Sequence, residues 1–116
     1  MSKLLDNMAA YGADTEGVLD RFMDDEELYA TCLEEFVETT DLASLRNYLD
    51  EKDYTNAFEV AHALKGVSGN LGLTPLFKVA CVLVEALRGK SYDNLEEQYK
   101  DVYDKMQEFL AVYKSI

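Results

Sequence analysis

Residues 53–89 read DYTNAFEVAHALKGVSGNLGLTPLFKVACVLVEALRG, and the spacing within them decides the fold class. Asp53 is placed to cap a helix, with Asn56 in the first turn behind it. Tyr54, Ala57, Phe58, Ala61, Leu64 and Leu71 then recur at helical spacing and define an apolar face. Thr74-Pro75 predicts a second start, a hydroxyl N-cap followed by proline at the first helical position. From Pro75 to Arg88 the chain is apolar nearly all round, as a buried helix requires, and Gly89 closes it.

Working outward, the same period continues in both directions. Leu4, Leu5, Met8 and Ala9 form a short amphipathic stretch that ends near Gly12. Another starts at Asp14/Thr15 and carries Val18, Leu19 and Phe22. Asp24 followed by Glu27 resembles a capping box, and the acidic run from Asp24 to Glu27 suits a helix N-terminus. The helix it opens carries Leu28, Tyr29, Cys32, Leu33, Phe36 and Val37; one from about Asp41 carries Leu42, Leu45, Tyr48 and Leu49. A last helix is predicted from about Ser91 to the end, with Leu95, Tyr99, Val102, Met106, Phe109 and Tyr113 as its seam. No segment alternates with period two, and no Asn-Gly or Asp-Gly hairpin signal occurs. The expectation is an all-α protein: an antiparallel four-helix bundle, core approximately 25–115, with short N-terminal helices across one end.

With 116 residues the chain is one domain long, and 48% apolar residues supply a core without staples. A single proline leaves long helices uninterrupted. No apolar run approaches the ~18 residues of a membrane span, and MSKLLDNMAAYGAD has no signal-peptide core. Two cysteines, Cys32 and Cys81, make no disulfide framework and suit a reducing cytoplasm. The net charge of −12 argues against nucleic acid or an anionic membrane as partner, since both attract Lys/Arg surfaces. That charge is uneven. Residues 1–53 carry −11 and residues 91–116 carry −3, whereas residues 54–90 carry +2. Burial of a central helix pair is one reason for so few acids there.

His62, the only histidine, is out of place on its helix. At about 100° per residue, Ala57, Ala61, Leu64, Ser68 and Leu71 share one side, and His62 points away from them. Lys65, Gly66 and Gly69 lie on its own side. Helical side chains lean towards the N-terminus, so residue 66 would cover the imidazole, and as glycine it covers nothing. Each glycine within a helix costs about 1 kcal/mol relative to alanine, so Gly66 and Gly69 need a reason. One is a C-cap or a flat packing face; the other is clearance for a large partner approaching the imidazole.

The stretch His62-Ala63-Leu64-Lys65-Gly66-Val67-Ser68-Gly69-Asn70-Leu71-Gly72 resembles the signature of histidine-containing phosphotransfer (HPt) domains, H-x-L-K-G-x-x-x-x-L-G. The acidic start at DDEELY and the apolar helix after Thr74 extend the likeness over nearly the whole chain. The resemblance implies a four-helix bundle whose His62 carries a phosphoryl group in a phosphorelay. Lys65 then matches the family's phosphate-side lysine, and Gly66 the glycine that clears room for phosphohistidine and partner. Gly66, Ser68 and Gly69 are expected on the docking face. The partners implied are receiver domains of response regulators or hybrid kinases, with Mg²⁺ held by the receiver and no cofactor or metal in this chain. A cytoplasmic monomer is expected. One position departs from the pattern: many members have a polar residue, often Gln, where this chain has Val84. Orientation of the imidazole then falls to another group, a backbone carbonyl or Glu85, and Arg88 becomes a candidate second cation.

The chemistry fits independently. Histidine titrates near neutrality and keeps a lone pair able to attack an aspartyl phosphate. The chain has no Walker-type loop, no glycine-rich nucleotide lid and no aspartate cluster spaced for Mg²⁺. It is therefore not a complete histidine kinase. One His and two separated Cys are too few for a closed metal or haem site. A helical interaction module without a reactive residue is the remaining alternative, with the glycine face as a plain docking surface.

Overall fold

The computed structural model describes residues 3–114, and every regular element among them is an α-helix. In chain order these are α1 (Lys3–Tyr11), α2 (Thr15–Arg21), α3 (Glu26–Thr39), α4 (Leu42–Asp50), α5 (Tyr54–Asn70), α6 (Thr74–Arg88) and α7 (Leu95–Lys114). The all-α helical bundle read from the sequence is what forms. Ser115 and Ile116, which the sequence places in the last helix, lie outside the described residues.

Aspartates begin four of the helices. Asp14, Asp25, Asp41 and Asp53 accept hydrogen bonds from the backbone N–H of Gly17, Leu28, Ser44 and Asn56, satisfying donors that a helix start leaves unpaired. Two starts differ from expectation. Asp24 sits at φ 61° and cannot cap, so the cap moves one residue on to Asp25. Thr74 is already helical and its hydroxyl turns back to the Gly72 carbonyl at 3.4 Å, while Leu73 takes the cap position without a side-chain bond. Pro75 lies in the first turn of α6, as its missing N–H allows.

The start of α7 also differs. Lys90 adopts φ 56°, and the Ser91 N–H folds back onto the Ala86 carbonyl at 2.8 Å. Tyr92 then stacks on Tyr54 at 3.8 Å between centroids. Residues 91–94 thus seal the end of α6 and α5, and the helix starts four residues later than the pattern suggested.

α5 packs along α6, α6 along α7, and α4 against α5. The turn Leu71–Leu73 reverses the chain between α5 and α6, which makes this pair antiparallel. Tyr29, Leu33, Leu45, Leu76, Leu83, Val84, Val102 and Phe109 are fully buried, each contributing about 1.5–3 kcal/mol of apolar transfer. Phe109 meets Phe36 and Tyr11 edge to face at 5.7 and 5.8 Å.

The two N-terminal helices do different jobs. α1 lies along α7, where the Tyr11 hydroxyl donates to the Lys105 carbonyl at 3.2 Å. α2 closes the C-terminal end of α5: the Arg21 guanidinium donates to the Asn70 and Gly69 carbonyls at 3.1 and 3.4 Å, a cation at the negative end of the helix dipole. The Asp14 N–H donates to the Gly72 carbonyl at 2.9 Å. Gly72 is at φ 70°, and a Cβ there would collide with Val18, so only glycine lets α2 seat against the turn.

Candidate functional site

α5 runs unbroken from Tyr54 through Asn70, so Gly66 does not cap it. Ala57, Ala61, Leu64 and Ser68 face the core, and His62 projects into solvent on the other side, as its spacing predicts. Among the described residues no hydrogen bond or ion pair holds the imidazole. Its one ring contact is Phe58, one turn earlier, stacked at 5.5 Å with the planes 23° apart.

Gly66 is exposed, and a Cβ built on it would find nothing within 4 Å. No neighbouring helix uses its flatness. The bare patch beside the imidazole is therefore open space, and a helical glycine there is a cost with no packing return. Lys65 is partly covered, and no carboxylate among the described residues pairs with its ammonium. That leaves a free cation three residues from the histidine on the same side of α5.

Two members of the expected docking face lie elsewhere. Ser68 is fully buried, and its hydroxyl donates to the Lys65 carbonyl at 3.2 Å. Its place on the helix beside Ala61 and Leu64 already carried that signal. Gly69 is half-buried under α6: a Cβ there would come within 2.9 Å of the Phe77 ring. It is a close-packing glycine, and its flatness serves the α5–α6 contact. Of the three, Gly66 alone is presented freely to a partner.

Val84 is fully buried in the core, and its apolar side chain offers the imidazole no hydrogen bond. Glu85 does not orient the imidazole either. Its carboxylate accepts from the Arg88 guanidinium at 2.7 Å. Arg88 lies over the Phe58 ring, 5.7 Å from its centroid, within cation–π range. The sequence reading placed Phe58 with the core face; the structure puts its half-buried ring between core and site. The signal available was spacing: residues 58 and 62 are one turn apart, close enough for their rings to meet.

The arrangement offers a nucleophile, clear space over it and an uncommitted cation. It holds no group that would activate a phosphate by itself. Among the described residues no cluster of His, Cys, Asp and Glu could hold a metal ion. Cys32 and Cys81 are free thiols. No described helix is long and apolar enough to cross a membrane. The comparisons with curated proteins and with solved structures returned no match. The family model described as "Hpt domain" matches residues 27–111, from the first turn of α3 into the last turns of α7, and takes in every site residue above while leaving α1 and α2 outside. An exposed histidine on the central helix of a helical bundle, inside a match over most of the chain, settles the family: this chain belongs to the Hpt domains.

Proposed function

We propose that His62 is the phosphoacceptor of a multistep phosphorelay, exchanging a phosphoryl group with aspartates of receiver domains. Membership in the Hpt family supports a phosphotransfer role in such relays. The observation that carries the residue-level reading is the exposed imidazole beside a helical glycine with nothing around it.

In the step proposed, a ring nitrogen of neutral His62 attacks the phosphorus of an aspartyl phosphate. The N–P bond forms as the acyl P–O bond breaks, and the receiver's carboxylate leaves with the bonding electrons. The transition state is loose and in line, so position and local charge govern its rate. Gly66 keeps the line of attack open. Lys65 places positive charge beside the incoming phosphoryl oxygens. The receiver contributes the carboxylate and its own Mg²⁺; this chain carries no cofactor in the proposal.

The partner surface is centred on His62 and Gly66. A transient docking of this kind buries roughly 1,200 Å² or less in total, which suits a cytoplasmic monomer that hands its phosphoryl group on. Incubating the protein with a panel of phosphorylated receiver domains tests the reading. Acid-labile, alkali-stable label that moves on to a second receiver is the expected result. Binding without transfer from every receiver would instead make the chain an interaction module of the same fold.

A further inference from the structure

Val84 has no hydrogen-bonding group with which to orient the imidazole, and Glu85 is paired with Arg88. Yet a nucleophile for in-line transfer gains from being held: a misplacement of ~1 Å can cost about a hundredfold in rate. We propose that Phe58 is the positioning residue for His62, fixing the plane of the imidazole by ring stacking. The proposal rests on His62 being the phosphoacceptor.

Three contacts in series build the device. Glu85 holds the Arg88 guanidinium at 2.7 Å, the guanidinium lies over the Phe58 ring at 5.7 Å, and that ring stacks on the imidazole at 5.5 Å. Phe58 is anchored by its place in the packed α5 face, partly buried against the core. An exposed imidazole alone would sample its rotamers freely. Stacking against a fixed ring restricts that rotation and leaves both ring nitrogens at the edge, clear of the aromatic face. No hydrogen-bond partner is spent on a nitrogen that must act as nucleophile.

His62 is the only histidine, so its two carbon-bound imidazole protons are read directly by NMR. The experiment compares wild type, Phe58→Leu and Phe58→Tyr. In each, the imidazole shifts are recorded, and single-turnover transfer from a phosphorylated receiver is followed as receiver concentration is raised. Phe58→Leu is expected to lose the upfield ring-current shift and to lower the maximal transfer rate about tenfold, with the half-saturating concentration unchanged. Phe58→Tyr should restore both. Circular dichroism establishes that the helices are intact. An unchanged maximal rate in folded Phe58→Leu overturns the proposal, and so does a raised half-saturating concentration at an unchanged maximum, which would make Phe58 a docking residue. Wild-type protein that takes no label from any receiver overturns the phosphoacceptor reading itself, and Phe58's role falls with it. Labelled wild type alongside an indifferent Phe58→Leu removes Phe58 alone.

Discussion

At Gly66, stability and transfer are expected to move in opposite directions. The residue is helical and unobstructed, so Gly66→Ala should raise stability by up to about 1 kcal/mol. Gly66→Gln should melt no lower than wild type, yet its side chain leans back over His62 and should slow transfer severely. Thermal melts and single-turnover labelling of both variants check this; unfolding of Gly66→Gln would mean the glycine is needed for packing. Gly69 provides the internal contrast. Its Cβ would press on the Phe77 ring, so Gly69→Ala should melt below Gly66→Ala. Lys65 is predicted to assist without being indispensable. An exposed ion pair contributes about 0–1 kcal/mol, and more once a docked partner lowers the local dielectric. Lys65→Ala should therefore transfer more slowly and hold its phosphohistidine for less time, with label still detectable; complete loss in a folded variant would contradict this. At this scale the sequence told His62, Lys65 and Gly66 apart from their neighbours because spacing alone sets which side of α5 they occupy. It misplaced Ser68, grouped with the docking face although its angle lies with Ala61 and Leu64. It missed the role of Phe58, because an aromatic at the edge of an apolar stripe reads as core until its neighbour one turn on is considered.

Among the elements, α3 is pinned to the α5–α6 turn by one buried group. The Tyr29 hydroxyl donates to the Leu71 carbonyl at 2.9 Å, and burial pushes its pKa up to about 12. The ordinary tyrosine value is about 10. Between those two values the unfolded chain loses the proton while the folded one keeps it, so stability is full below pH 10 and falls as pH rises towards 12. About 2–3 kcal/mol is at stake, and burial raises Tyr11 in the same direction. Denaturant unfolding across this range should show the decline. Tyr29→Phe should begin about 1–3 kcal/mol lower, with the Leu71 carbonyl left unpaired, and lose stability less steeply. A wild-type curve flat to pH 12 would refute the buried hydroxyl. The seven helices among the described residues were legible because their signals are local: a capping residue at the start, a 3.6-residue stripe, in places a glycine near the end. The errors cluster where tertiary contacts decide. Asp25 caps in place of Asp24 because the α2–α3 turn puts Asp24 in the left-handed region. α7 starts at Leu95 because Tyr92 is drawn onto Tyr54 across the bundle end, a pairing no local pattern announces.

Across the whole molecule, charge and surface agree with the proposed role. A net charge of −12 lies mainly in residues 1–53 and 91–116, and the α5–α6 pair that presents His62 carries +2 over residues 54–90. The proposed phosphoryl donor would thus approach the least acidic segment of an otherwise acidic protein. The same net charge opposes self-association, and sedimentation equilibrium should return the 13.1 kDa monomer; a stable dimer that shields His62 from chemical modification would contradict a free docking face. The central claim is that one exposed imidazole carries the phosphoryl group. Its most direct test is the labelling of His62→Gln by a phosphorylated receiver that labels wild type. The substituted side chain is exposed and bonds to nothing among the described residues, so the variant should melt within about 0.5 kcal/mol of wild type. It should take up no acid-labile label at all. Undiminished labelling of folded His62→Gln would show that the phosphoryl group is carried elsewhere.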